Sequence, residues 1–125
     1  MFYRKKDELE GVNWGNGSSH RLITKKDNMG FTVAHTVVNA GSESRLQYER
    51  HLEACYCISG SGKVYNKDRS IVFNIEPGDI YALNEHDPHI LVANEGEDMH
   101  LVSVFNPPLN GDERHKLDPE GFSRY

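Results

Sequence analysis

Seven short apolar runs, each stopped by a cluster of turn-forming residues, constrain this chain more than any other feature. They are FTVAHTVV (31–38) before AGSES, LEACYCI (52–58) before SGSG, KVY (63–65) before NKDRS and IVFNI (71–75) before EPGD. After these come IYAL (80–83) before NEHDP, HILVA (89–93) before NEGED and HLVSVF (100–105) before NPPLNGDE. Short strands at this spacing predict an all-β sandwich or barrel. Little room is left for helix, apart from the polar DELEG near the start and a turn over 112–116. Gly60, Gly62 and Gly78 fall in the breaks, where positive φ or a close backbone approach is expected.

With 125 residues and 37% hydrophobic content, the chain can fill one modest core. The expectation is one domain over 1–125, with the barrel over about 20–116 and peripheral ends. A net charge of −5 argues against a nucleic-acid partner, which would call for a lysine and arginine excess. No apolar run is long enough to span a bilayer, and MFYRKKDELEG lacks the apolar stretch of a secretory signal, so a cytoplasmic protein without a membrane role is expected. Cys55 and Cys57 stand two apart on one strand face, a poor arrangement for a bridge, and are read as reduced core residues. The tail from Asp118 has only Phe122 and Tyr125 as anchors, so it either frays or closes over something.

Motif spacing narrows the reading. From Gly41 the chain runs through Gln47, Tyr48 and Glu49 to Glu53 and Gly60, and from Pro77-Gly78 it runs to Pro88-His89. These two halves resemble the motifs of the cupin superfamily, small jelly-roll barrels that hold a metal on inward-facing strand residues. The usual first motif has two histidines where this chain has Gln47 and Glu49, while Glu53 and His89 keep the other motif positions. A three-histidine cupin site is therefore missing.

Four stretches together, RLITKKDNMGFT, HLEACYCISGSG, PGDIYALNEHDPH and FNPPLNGDERH, resemble the ectoine synthase family over about residues 20–116. The resemblance implies a cytoplasmic, homodimeric cupin with iron held by Glu53, Tyr81 and His89. It further implies closure of N-γ-acetyl-L-2,4-diaminobutyrate to ectoine, a compatible solute of osmotic stress, with loss of water. A carboxylate, a phenolate and an imidazole suit Fe(II), and also Mn(II) or Zn(II), and three protein ligands leave positions open. Taken singly, each has a plainer reading: a solvent-facing strand glutamate, a packed tyrosine, a surface histidine.

The same resemblance implies catalytic roles for Tyr48, Glu113 and His115, and substrate contacts at Thr36 and Phe105. Ser103 stands where the family commonly has a cysteine in the pocket. Trp14 and Ser19 are matched to substrate contacts through a segment altered by extra glycines, with His20 in place of an arginine. An insertion around residues 94–97 is expected to lengthen a hairpin loop. Two alternatives stand beside the synthase: a related cupin cyclase acting on a different short amide or N-acyl diamino acid, and a non-catalytic cupin that binds a small ligand. A cupin oxygenase is disfavoured by the lost histidines.

Overall fold

The computed structural model describes residues 1–125. Its strands are β1 (Val12–Asn13), β2 (Gly17–Ile23), β3 (Thr32–Val38), β4 (Glu43–Gln47), β5 (Leu52–Ser59), β6 (Gly62–Asn66), β7 (Val72–Ile75), β8 (Ile80–Leu83), β9 (His89–Ala93), β10 (Met99–Asn106) and β11 (Ser123–Arg124). They form a six-stranded sheet in the order β1-β2-β3-β10-β5-β8 and a five-stranded sheet in the order β11-β4-β9-β6-β7. Neighbours run antiparallel throughout, save the short parallel pairing of β11 with β4. This two-sheet, nearly all-β architecture is the expected jelly-roll barrel.

Period-two burial explains why the sheets close on each other. Along β5 the side chains of Glu53, Cys55 and Cys57 are buried, while Leu52, Tyr56 and Ile58 are exposed. On β10, Met99, Leu101, Ser103 and Phe105 point into the same interior. Met99, Leu101 and Leu109 are wholly withdrawn from water, each contributing roughly 1.5–3 kcal/mol of burial energy. The two cysteines are free and buried, as expected.

All seven apolar runs are strands, within a residue or so of their expected limits. Four further strands, β1, β2, β4 and β11, went unread. β2 and β4 carry Ser19, Arg21 and Ser44 at buried positions, so their inward faces are polar and the apolar alternation is lost. The DELEG stretch contributes only a 3-10 turn over Lys6–Glu8, and a second such turn, Lys25–Asp27, starts with a Thr24/Asp27 capping box. Residues 112–116 hold no helix.

One expectation is corrected. The segment 94–98 does not cap a hairpin, because β9 and β10 lie in different sheets and the loop crosses between them. Gly60, at φ +72, turns the end of β5 against this crossing, where a Cβ would strike the backbone of Asp98 and Met99.

Candidate active site

The pocket lies between the sheets, and β5 sets its floor. The β5–β8 register places Tyr81 directly opposite Cys55, so Tyr81 shares the inward face with Glu53 one step along the ladder. His89 opens β9 on the facing sheet. Its Nδ1 lies 3.0 Å from the carbonyl oxygen of Asp87, which can only accept, so Nδ1 carries the ring proton. Burial holds the imidazole down to about 4, hence neutral at ordinary pH, and leaves a bare lone pair on Nε2. That Nε2 is buried and has no partner.

Glu53 is 6% exposed, and burial pushes its carboxyl up to about 8 against the hydrogen bonding of Cys55 and Tyr48. No lysine, arginine or histidine forms an ion pair with it. Tyr81 is buried as well, and burial raises its phenol well above the ordinary range. A partnerless imidazole nitrogen, an uncompensated carboxylate and a phenol oxygen on one pocket are the donor types of a divalent-metal site. No three His, Cys, Asp or Glu side chains gather as a metal cluster, so the candidate set depends on the phenol as its third donor.

Around these donors stand the other expected residues. Trp14, Ser19, Thr36, Tyr48, Ser103, Phe105 and His115 all line the same pocket. Tyr48 follows β4, and its ring centroid lies 5.1 Å from that of Phe105, 5.0 Å from His115 and 6.2 Å from His89. Burial raises the Tyr48 phenol far enough that it keeps its proton. The Nδ1 of His115 lies 2.9 Å from Ser123 Oγ, while its Nε2 is buried and unpartnered. Burial, His89 and Arg21 together hold this ring down to about 3. The indole Nε1–H of Trp14 is a further buried donor without an acceptor.

Glu113 stands apart from this group. It borders a separate outer cleft with Lys25, Arg50 and His51. Its two carboxylate oxygens accept the backbone N–H groups of Asn110 at 2.8 Å and Gly111 at 2.9 Å. Burial alone would raise its pKa, but these bonds hold it below the usual carboxylate value.

Several lining residues were not singled out as site residues from the sequence, Arg21, Cys55 and Tyr125 among them. Arg21 is 9% exposed, donates to Ser19 Oγ at 3.1 Å and to the Gly111 carbonyl at 3.0 Å, and has no carboxylate partner. Cys55 was legible from its i+2 relation to Glu53. The tail does close over the pocket: β11 docks on β4, and the Tyr125 ring packs 5.1 Å from Tyr48 and 4.5 Å from His115. Tyr125 also borders the outer cleft and thus separates it from the interior.

Comparison with known proteins gives the family and the fold. Residues 2–122 match the family model described as ectoine synthase. An L-ectoine synthase of Halalkalibacterium halodurans is 47% identical over 108 residues, covering 86% of this chain and 80% of that protein. Another, of Desulfatibacillum aliphaticivorans, is 42% identical over 124 residues, 94% of each chain. The crystal structure of ectoine synthase from P. lautus superposes with a TM-score of 0.82 at 36% identity, over 89% of this chain and 81% of that one. The polyketide cyclase RemF of Streptomyces resistomycificus shares the fold alone, with a TM-score of 0.73 at 16% identity over 94% of this chain and 83% of its own. With matches that span nearly the whole sequence and a barrel that superposes on the same enzyme, this chain belongs to the ectoine synthase family and its fold is a cupin.

Proposed function

We propose that this chain is a metal-dependent hydro-lyase that closes N-γ-acetyl-L-2,4-diaminobutyrate into ectoine with loss of water. The observation that carries this reading is one pocket lined by two sets of groups: the oxygen and nitrogen donors Glu53, Tyr81 and His89, the last with a buried Nε2 that has no partner, and the guanidinium of Arg21, which has no carboxylate partner. The first set would hold Fe(II), or else Mn(II) or Zn(II), which when bound would polarise the amide carbonyl as a Lewis acid.

The chain's own residues do the rest. Arg21 presents its guanidinium to the substrate carboxylate, and Trp14 Nε1–H offers a further donor. This pins both ends of a flexible molecule, so that the α-amine reaches the acetamide carbon within one bound conformation. His115 is neutral and has Nε2 free in the pocket to take a proton from the attacking amine. A carboxylate seated on Arg21 offsets part of the charge that holds His115 down, which returns the imidazole toward a useful basicity. Tyr48 keeps its proton and donates it to the departing oxygen; the proton His115 took from the amine is the second that this oxygen needs to leave as water, and the amine's other surplus proton, lost once the C–N bond has formed, restores the Tyr48 phenol. Thr36 and Ser103 line one wall, and Phe105 and Tyr125 keep the pocket dry. Glu113 acts through the 110–113 loop, whose Gly111 carbonyl receives Arg21.

The buried free thiols suit a reducing cytoplasm, and no helix is long and apolar enough to cross a membrane. An apolar outer sheet face supports a homodimer, as does exposure of Val72 and Phe73 on the edge strand β7. The decisive experiment is anaerobic incubation of the Fe(II)-loaded protein with N-γ-acetyl-L-2,4-diaminobutyrate, ectoine being followed by liquid chromatography and mass spectrometry. Metal-dependent product is expected, with none from a folded Glu53→Ala variant. Iron-loaded protein that makes no ectoine would move the substrate to another short amide, and product formed equally by Glu53→Ala would remove the ligand assignment.

A further inference from the structure

His115 lies in a stretch that is neither helix nor strand, so no regular backbone aims its ring. A single oxygen from the tail ties it down instead. Ser123 is brought alongside by the pairing of β11 with β4, and Ser123 and His115 are each 5% exposed. Ser123 Oγ lies 2.9 Å from His115 Nδ1 and accepts the backbone N–H of Lys116 at 2.8 Å. The same atom therefore fixes the imidazole and the main chain that follows it.

The ring has no other hydrogen-bond partner. Tyr48 and Tyr125 pack against it, with centroids 5.0 and 4.5 Å away, but its Nε2 is buried and unpaired. A serine hydroxyl has one proton and two lone pairs. The Lys116 amide takes one lone pair, and the other is left for a proton on Nδ1. Which nitrogen of a neutral imidazole carries the proton is set by the bond that the other nitrogen makes, and here only Nδ1 makes one.

We infer that Ser123 is a positioning residue for His115: its oxygen accepts Nδ1–H, which holds the ring proton on that side and keeps Nε2 aimed at the substrate as an open lone pair. This rests on the reading of His115 as the base. Nδ1 keeps its proton through the whole cycle, while Nε2 takes one from the amine and passes it to the departing oxygen. Without the Ser123 oxygen the ring turns more freely, and its proton can settle on Nε2, where it blocks the transfer.

The test has two arms. In the first, the full-length metal-free chain is isotope-labelled at its histidine nitrogens and followed by NMR near neutral pH, the His115 signals being identified by their loss in His115→Gln. The wild type is expected to carry the proton on Nδ1, and Ser123→Ala to move it to Nε2 or to a mixture. The second arm is steady-state kinetics of the iron-loaded proteins on N-γ-acetyl-L-2,4-diaminobutyrate, with thermal melting as a control of folding. Ser123→Ala is expected to lower kcat by about tenfold with KM within about twofold, a split that loss of a pocket wall would not give. Ser123→Thr keeps the oxygen and should recover most of that loss. A wild-type His115 that carries its proton on Nε2 overturns the positioning role, and this arm decides alone if Ser123→Ala does not fold. Wild-type kcat in a folded Ser123→Ala overturns it as well, as does a folded Ser123→Thr that fails to recover. His115→Gln separates the two readings: if it abolishes turnover while Ser123→Ala does not lower kcat, only the positioning role falls, and if it turns over normally, His115 is not the base and both fall.

Discussion

At position 53 a carboxylate is held almost wholly out of water with no cation beside it. Its pKa stands at about 8 in the folded metal-free chain, against 4.5 for the ordinary group, with burial the main cause. Between these two values the folded state binds the extra proton, so stability falls as pH rises through that window. His89 and His115 work in the other direction. Burial lowers them to about 4 and about 3, so their contribution is intact above 6.5 and is lost as pH falls toward those values. Glu53→Gln removes only the first effect. The metal-free Glu53→Gln protein should therefore exceed the metal-free wild type in stability by on the order of a few kcal/mol above pH 8, and match it near pH 4. Thermal unfolding at the two pH values checks this, and equal melting of the two proteins above pH 8 would mean that Glu53 gains a cationic partner within the chain itself. The same substitution should abolish iron binding, which makes the residue a case of stability given up for a ligand.

Among the elements, the two-residue strand β11 has more consequence than its length suggests. The Glu49 amide donates to the Tyr125 carbonyl at 2.9 Å and the Tyr125 amide donates to Gln47 at 3.3 Å, which lays the Tyr125 ring over Tyr48 and His115. Tyr125→Ala should open the pocket to the outer cleft and lower kcat/KM on the order of tenfold, chiefly through KM, because it removes a wall and frees Arg21 on one side. Steady-state kinetics beside iron content distinguishes this from damage to the ligands, and an unchanged KM would place the ring outside the working pocket. Such an element is hard to read from sequence, since two residues carry no periodicity and a parallel pairing depends on contacts far along the chain. β2 and β4 were hidden for a related reason: Ser19 and Arg21 face the site, and Ser44 is buried beneath the Asn16 amide that donates to it, at positions that an apolar core would fill. The legible strands, β3 and β5 to β10, present mostly apolar or small side chains inward between strong turn signals. Glu53 and His89 were expected from motif spacing and Tyr81 from the family resemblance, and all three line the one pocket; Glu113 alone among the expected site residues lies outside it, held by backbone bonds that no pattern announces.

For the whole molecule, the outer face of the six-stranded sheet divides into two halves. Register places His20, His35, Val102, Tyr56 and Ile80 in one row across β2, β3, β10, β5 and β8. At the imidazole end of the row His35 Nε2 lies 2.8 Å from His100 Nδ1 and His20 Nε2 3.0 Å from Ser18 Oγ, while His20 Nδ1 is buried without a partner. At the other end Ile80 is 64% exposed, Tyr56 45% and Ile58 44%, and Leu52 and Val104 extend the apolar surface beside them. A contiguous patch of this kind in a chain of net charge −5 is expected to be covered, and the proposed homodimer would cover it with an identical patch. Ile80→Asp places a charge at the most exposed point of that surface, on the face opposite the Tyr81 side chain. In a twofold contact the substitution is felt twice, as like charges brought together in an apolar surround. Sedimentation velocity should show the variant as a monomer at concentrations where the wild type is dimeric. Iron content and kcat per chain should stay within about twofold, because additivity is expected for a site that shares no partner with the pocket. A variant that still sediments as a dimer would move the contact to the β7 edge, where Val72 and Phe73 are also exposed and backbone groups are unpaired on one side.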